Sequence, residues 1–402
     1  MRMTLATASR RGETMAVACT ALLLVVVGCS SDAERVPPPA AGDAPRGAKL
    51  PPVDRPVGEA GVGSPAGAVD PGEAPVSVAP FHVIGRFDDR DPAGPRFGWA
   101  GTEIRARFSG PELKVELADT GISYYDVAID GAAPKMLVVA GGKKTYDVAA
   151  GLAPGAHELV LTKRTETFTG VTQLFGFVGT LIPSPLPSGR RIELVGDSIT
   201  CGFGVLGPNE SCEFSAATES EPLAWGALAA KQLGAMRMTT AVSGMGVLRN
   251  FDGSTTDTMP ARYDRSLAED ATSSWDHRVF EPDLIVVNLG TNDFAGGKGD
   301  PGSGFQATYT KLLADLRAKH ARARIVVTTS PMLTGESRTR LRAYLDGAIA
   351  ARLAAGDAQL SLLDLDVQDE HDGYGCGYHP SITTQQKMAA KLVEHVKPLM
   401  GW

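Results

Sequence analysis

From residue 190 onward the chain alternates two kinds of apolar pattern. Short branched runs at 192–195, 284–289, 325–329 and 361–365 read as buried strands. Between and after them, "PLAWGALAAKQLG", "FQATYTKLLADLRAKH", "RTRLRAYLDGAIAARLAAG" and "TTQQKMAAKLVEHVKPLM" return an apolar residue every three or four positions, the spacing of one helix face. Strand and helix in turn predict a parallel sheet covered by helices on both faces, over residues 190–402. Residues 78–183 carry a different rhythm. "TEIRARFSG", "LKVELAD", "YYDVAIDG", "KMLVVAGG", "KTYDVAAGL" and "HELVLTKRT" are short alternating segments between Gly, Pro or Asp turns, which predicts an antiparallel jelly-roll β-sandwich. The Pro-rich "IPSPLPSG" joins the two.

The first 77 residues have neither pattern. Arg2, Arg10 and Arg11 precede an apolar run from Met15 to Val27, too short to span a bilayer comfortably. Residues 1–28 therefore read as an export signal. Val26-Val27-Gly28-Cys29 resembles the lipobox of bacterial lipoproteins, which implies lipid on Cys29 and an extracytoplasmic protein, anchored to the cell envelope at the outer membrane or surface, or secreted. Residues 29–77, rich in Pro, Ala and Gly, have little to bury and read as a disordered tether. The net charge of −7 and the absence of a long basic run argue against nucleic acid as a partner. A monomer touching the membrane only through its lipid is the expectation.

The candidate chemistry lies at the ends of the predicted strands. In "LVGDSITCGFGV" a strand runs into Gly196-Asp197-Ser198, which lifts the serine above the sheet beside the N–H groups of the next element. Ligands bind at that edge of an open α/β sheet. Gly244 in "AVSGMGV" and Asn292 in "VVNLGTNDF" follow two further strands, and His379 in "GYHPS" precedes the last helix. Each has a plainer structural use: Asp197 or Ser198 as a helix cap, Gly244 as a cap, Asn292-Asp293 as a turn, His379 as one of seven histidines. Their joint placement favours chemistry. In the sandwich segment nothing has metal-ligand spacing, and Phe97, Trp99, Tyr124, Tyr125 and Phe168 are candidates for stacking on sugars or for core.

Gly196-Asp197-Ser198, Gly244, Gly290-Thr291-Asn292-Asp293 and His379 resemble the four blocks of the SGNH (GDSL-like) hydrolases. More closely, "GDSITCGFGV", "CEFSAATES", "EPDLIVVNLGTNDF" and "DVQDEHDGYGCGYHPS" resemble carbohydrate esterase family 2, and "RFDDRDPAGPRFGWAGTEIRARFSG" and "LTKRTETFTGVTQLFGF" are similar to its jelly-roll half. The resemblance implies a serine esterase that removes O-acetyl groups from polysaccharides or oligosaccharides of the xylan or hemicellulose type, without metal or cofactor. Ser198 would be the nucleophile and His379 the base. The N–H groups of Ser198 and Gly244 and the amide of Asn292 would form the oxyanion hole. An ordinary histidine base would give an activity limb near pH 6–7. The acid that most SGNH enzymes place three residues before the histidine is here Cys376. A Ser–His dyad is the expectation, with Asp366, Asp369 and Asp372 as substitutes if the loop folds back. Alternatives are another SGNH activity (lysophospholipase or peptidoglycan O-acetyl esterase) and a non-catalytic carbohydrate-binding surface lipoprotein.

Of five cysteines, Cys19 leaves with the signal and Cys29 would carry lipid. Cys201, one turn past Ser198, would point under the nucleophile into protein. Cys212 and Cys376 lie on two loops at the rim of the same site, and the expectation is a Cys212–Cys376 disulfide with Cys201 free. A Cys201–Cys212 bridge or three free thiols are the alternatives.

Overall fold

The computed structural model describes residues 79–187 and 189–402. The signal segment, Cys29 and the tether lie outside the described residues. Among those described, the first half forms one eight-stranded antiparallel sheet folded on itself. Its strands are Phe81–Ile84 (β1), Arg96–Phe97 (β2), Glu103–Asp119 (β3), Ile122–Ile129 (β4), Lys135–Ala140 (β5), Lys144–Ala149 (β6), Ala156–Lys163 (β7) and Thr172–Ile182 (β8). The main path runs β2-β8-β3-β7-β4-β5, with β1 and β6 also on β3. Two segments that read as separate strands, "TEIRARFSG" and "LKVELAD", are one strand, β3. Gly110 and Pro111 lie where its register against β8 shifts, between Ser109 and Lys114. A bulge absorbs the missing proline N–H, so the strand continues where its sequence suggests a turn. The alternating residues Ile104, Ala106, Phe108, Leu113, Val115 and Leu117 are all buried, on the inward face of β3. Phe97, Trp99 and Tyr125 are buried, Tyr124 is half-buried, and Phe168 is exposed.

The second half is a five-stranded parallel sheet: Arg191–Gly196 (β9), Met236–Ala241 (β10), Leu284–Asn288 (β11), Arg324–Thr328 (β12) and Leu360–Leu363 (β13), in the order β10-β9-β11-β12-β13. Successive residues of each strand feed opposite cores. Val195, Ile285, Val287, Ile325 and Val327 pack with Phe305, Tyr309, Leu312, Leu341 and Leu345 from helices Ser303–Lys319 and Gly335–Ala354. Ile192, Leu194, Leu284, Val286 and Val326 pack with Trp225, Ala229, Met388, Leu392 and Val396 from helices Trp225–Gln232 and Ile382–Met400. Both faces are thus sealed, and every strand points its carboxyl end the same way.

The two sheets share buried polar ties. The Arg86 guanidinium meets the Glu193 carboxylate at 2.9 Å, both fully buried, and lies against the Tyr263 ring. Arg237 on β10 bridges Glu221 and Glu103 of β3. The Trp99 indole donates to the Ser266 carbonyl at 2.8 Å.

Candidate active site

The serine is built into the sheet. β9 is buried along most of its length and ends at Gly196; Asp197 turns the chain and caps the short helix Ser198–Cys201, its Oδ1 accepting the Ile199 N–H at 3.0 Å. Ile199 then drops into the core beneath the sheet. Ser198 is fixed by its backbone on both sides.

The histidine sits on the irregular chain between β13 and the last helix. Its Nε2 lies 2.8 Å from Ser198 Oγ, and its Nδ1 lies 3.1 Å from the Cys376 carbonyl oxygen. A carbonyl only accepts, so Nδ1 carries the proton and Nε2 presents a lone pair to the serine hydroxyl. The three substitute carboxylates are engaged elsewhere: Asp372 with Lys387, Asp369 with the backbone and ring of His371, and Asp366 with Lys391. Phe203 packs on the imidazole with ring centroids 4.3 Å apart, and Phe214 stacks behind Phe203 at the same spacing. Burial pushes the imidazole down to about 4, with the Cys376 carbonyl pulling the other way. That differs from the ordinary value expected from sequence, because the residues that desolvate the ring lie far away in the chain.

Cys376 is bonded to Cys212 across 164 residues, and Cys201 is a buried free thiol. The bridge sits against Gly207, where a Cβ would fall 2.3 Å from Cys376 Sγ and 2.5 Å from Cys212 Sγ. The Cys376 N–H donates to Gly204 O at 3.0 Å, and the Gly377 N–H to Glu210 O at 3.0 Å. The histidine loop is thus fastened to the segment that follows the serine.

Gly244 (φ +78°) follows β10, and Asn292 lies in the turn of helix Thr291–Phe294 after β11. Asn292 Nδ2 donates to the Met245 carbonyl at 2.9 Å, tying those two loops together, and reaches Asp197 Oδ2 at a longer 3.3 Å. Burial pushes the Asp197 carboxyl up to about 7. Asp293 accepts the N–H groups of Val247, Leu248 and Arg249 at 2.9, 2.7 and 2.9 Å, clamping the far side of the Gly244 loop. The sequence names Asp293 only within the Gly290–Asp293 block and as a turn residue, and does not point to this clamp on the Gly244 loop. The repeated Gly of "SGMGV" hinted at a loop needing an anchor, yet nothing local names the anchor.

Two family models match the chain: "Carbohydrate esterase 2 N-terminal" over residues 83–185 and "GDSL-like Lipase/Acylhydrolase family" over residues 194–387. The chain is 34% identical over 321 residues to the cellulase/esterase CelE of Acetivibrio thermocellus, covering 79% of this chain but only 39% of that protein. It is 29% identical over 331 residues to an acetylxylan esterase / glucomannan deacetylase of Cellvibrio japonicus, covering 80% of this chain and 89% of that one. Among solved structures, a family two carbohydrate esterase from Clostridium thermocellum, in complex with cellohexaose, superposes with a TM-score of 0.77 at 34% identity, covering 80% of this chain and 99% of that chain.

Proposed function

The chain belongs to carbohydrate esterase family 2, a family of carboxylic ester hydrolases, and from that premise we propose that it removes O-acetyl groups from hemicellulose-type polysaccharide through a Ser198–His379 dyad. The observation that carries the reading is the 2.8 Å contact between His379 Nε2 and Ser198 Oγ, with Nδ1 held by a carbonyl. The names of the Cellvibrio japonicus relatives support xylan and glucomannan as substrates.

In this reading Ser198 Oγ attacks the acetyl carbonyl carbon as its proton passes to His379 Nε2. The oxyanion is met by the N–H groups of Ser198 and Gly244 and by Asn292 Nδ2, whose long contact to Asp197 is the one it gives up. Collapse returns the proton to the departing sugar oxygen and leaves acetyl-Ser198. A water molecule then attacks, gives its proton to His379, and releases acetate while the serine regains its hydrogen. Exposed rings at Tyr378, beside His379, and at Phe251, whose N–H donates to Gly244 O, offer flat surfaces for sugar.

Export follows from the leader, and a disulfide suits an oxidising compartment. The reading places the mature protein outside the cytoplasm, lipid-anchored at Cys29.

The test is acetate release from a panel of acetylated xylan, glucomannan and peptidoglycan. The expected result is release from the plant-type polymers, with Ser198→Ala folded and reduced by about a thousandfold or more. Acetate from peptidoglycan alone would contradict the substrate, and no acetate from any polymer would contradict catalysis.

A further inference from the structure

The loop that carries Gly244 is also gripped from the antiparallel sheet. Glu166 lies just past β7 and is fully buried. One carboxylate oxygen accepts the Ser243 N–H at 2.7 Å, and the other accepts the Ser243 hydroxyl. Ser243 immediately precedes Gly244, so two bonds from one planar group fix both the backbone and the side chain there.

The grip is itself supported by buried groups. The Glu166 N–H donates to Glu219 Oε2 at 3.2 Å, and ligand atoms of Glu166, Glu219 and Cys201 lie within 4.8 Å of one another. Two carboxyls so close in a dry site do not both ionise. Burial raises both carboxyls, but the Glu219 and Ser243 hydrogen bonds and the Lys163 charge hold Glu166 down, whereas the Glu166 charge pushes Glu219 further up, so Glu219 takes the proton first. Behind them the buried Lys163 ammonium donates to the Thr165 carbonyl at 2.7 Å and to the Glu166 carbonyl at 3.3 Å. With both its carboxylate oxygens on Ser243 and an ammonium behind, Glu166 is a hydrogen-bonded anchor for the Gly244 loop.

We propose that Glu166 is a positioning residue for ester hydrolysis: fixed on the segment that leaves β7 of the antiparallel half, it holds Ser243 and so aims the Gly244 N–H at the reacting centre. The proposal rests on the reading of Gly244 as an oxyanion donor. It makes the antiparallel sheet a working part of the esterase. An oxyanion exists only after attack, so a loosened donor lowers kcat and leaves KM nearly untouched.

The experiment is steady-state kinetics on 4-nitrophenyl acetate. Glu166→Gln has one acceptor oxygen for two Ser243 donors, and kcat is expected to fall about 10- to 100-fold with KM within about threefold. Ser243→Ala keeps its N–H contact and is expected to lose about 3- to 10-fold in kcat. The double variant should lose no more than Glu166→Gln alone, because both changes act through one contact. Glu103→Gln breaks the 2.8 Å ion pair with Arg237 between the same two sheets and is the control for simple destabilisation. It should lower Tm and leave kcat within about twofold. A folded Glu166→Gln at wild-type kcat overturns the proposal, as do losses that multiply in the double variant. If Glu166→Gln does not fold, Ser243→Ala at wild-type kcat overturns it equally. Ser198→Ala separates the two levels: inactive, it leaves the reading of the site intact; active, it overturns that reading itself.

Discussion

The two members of the proposed dyad, Ser198 and His379, are held by opposite means. Ser198 begins the short helix just past the end of β9, an interior buried strand that the sheet's own hydrogen bonds and two cores fix. His379 stands on a loop with little regular structure, fixed by one covalent bridge, a short pairing of Tyr374 with Pro380, and contacts to Gly204 and Glu210. The serine's geometry is a by-product of folding. The histidine's geometry depends on a covalent staple, and its Nδ1 meets a carbonyl of the stapled cysteine where a free carboxylate would ordinarily serve. In the proposed pair, then, one member stands on the rigid scaffold and the other is tied to it through the bridge.

The sharpest way to break this asymmetry is to cut the staple. Cys212→Ser with Cys376→Ser releases a long closed loop, and loss of such a bridge costs about 2–5 kcal/mol in unfolding stability. Because the Cys376 carbonyl orients the imidazole, kcat/KM should fall about tenfold or more under conditions where the variant is still folded. Thermal melts and kinetics on the same samples separate the two. Activity that declines only as the protein unfolds would show that the bridge serves stability alone.

Titration sharpens the comparison with a smaller effect. With the imidazole pushed down to about 4, His379 remains a neutral base well below 6.5, so activity should be lost only as pH falls through the folded value. Following the His379 ring by NMR, identified by its absence in His379→Ala, should show it neutral at pH 6, and the acid limb of kcat/KM should follow the same curve. A midpoint at 6.5 would mean that the ring is more solvated than its packing on Phe203 indicates.

The same contrast governs what could be read from the chain alone. The parallel sheet was legible because branched runs such as "RIELV" and helix-spaced stripes are local signals, each with its own hydrophobic period. The helix expected from Pro222 starts instead at Trp225, because the extended backbone of Ala224 (ψ 153°) separates it from a 3₁₀ turn over Glu221–Leu223. The antiparallel sheet was legible in kind but not in its joints, since Gly110-Pro111 writes the same letters for a bulge as for a turn. Side-chain partners were the least legible. Glu166 and Ser243 are 77 residues apart, and no periodicity records which buried acid meets which loop. The desolvation of His379 by Phe203 is hidden for the same reason.

The central claim is that a backbone carbonyl, without any carboxylate, is enough to orient His379. It is tested most directly by kcat/KM of the combined variant Asp366→Asn, Asp369→Asn and Asp372→Asn on a small acetyl ester. Each of these side chains faces a cation or caps its own turn, so activity should stay within about threefold of wild type. A loss of about a thousandfold or more, the scale seen when a triad acid is removed, would mean that one of these carboxylates turns in to hold the histidine during catalysis.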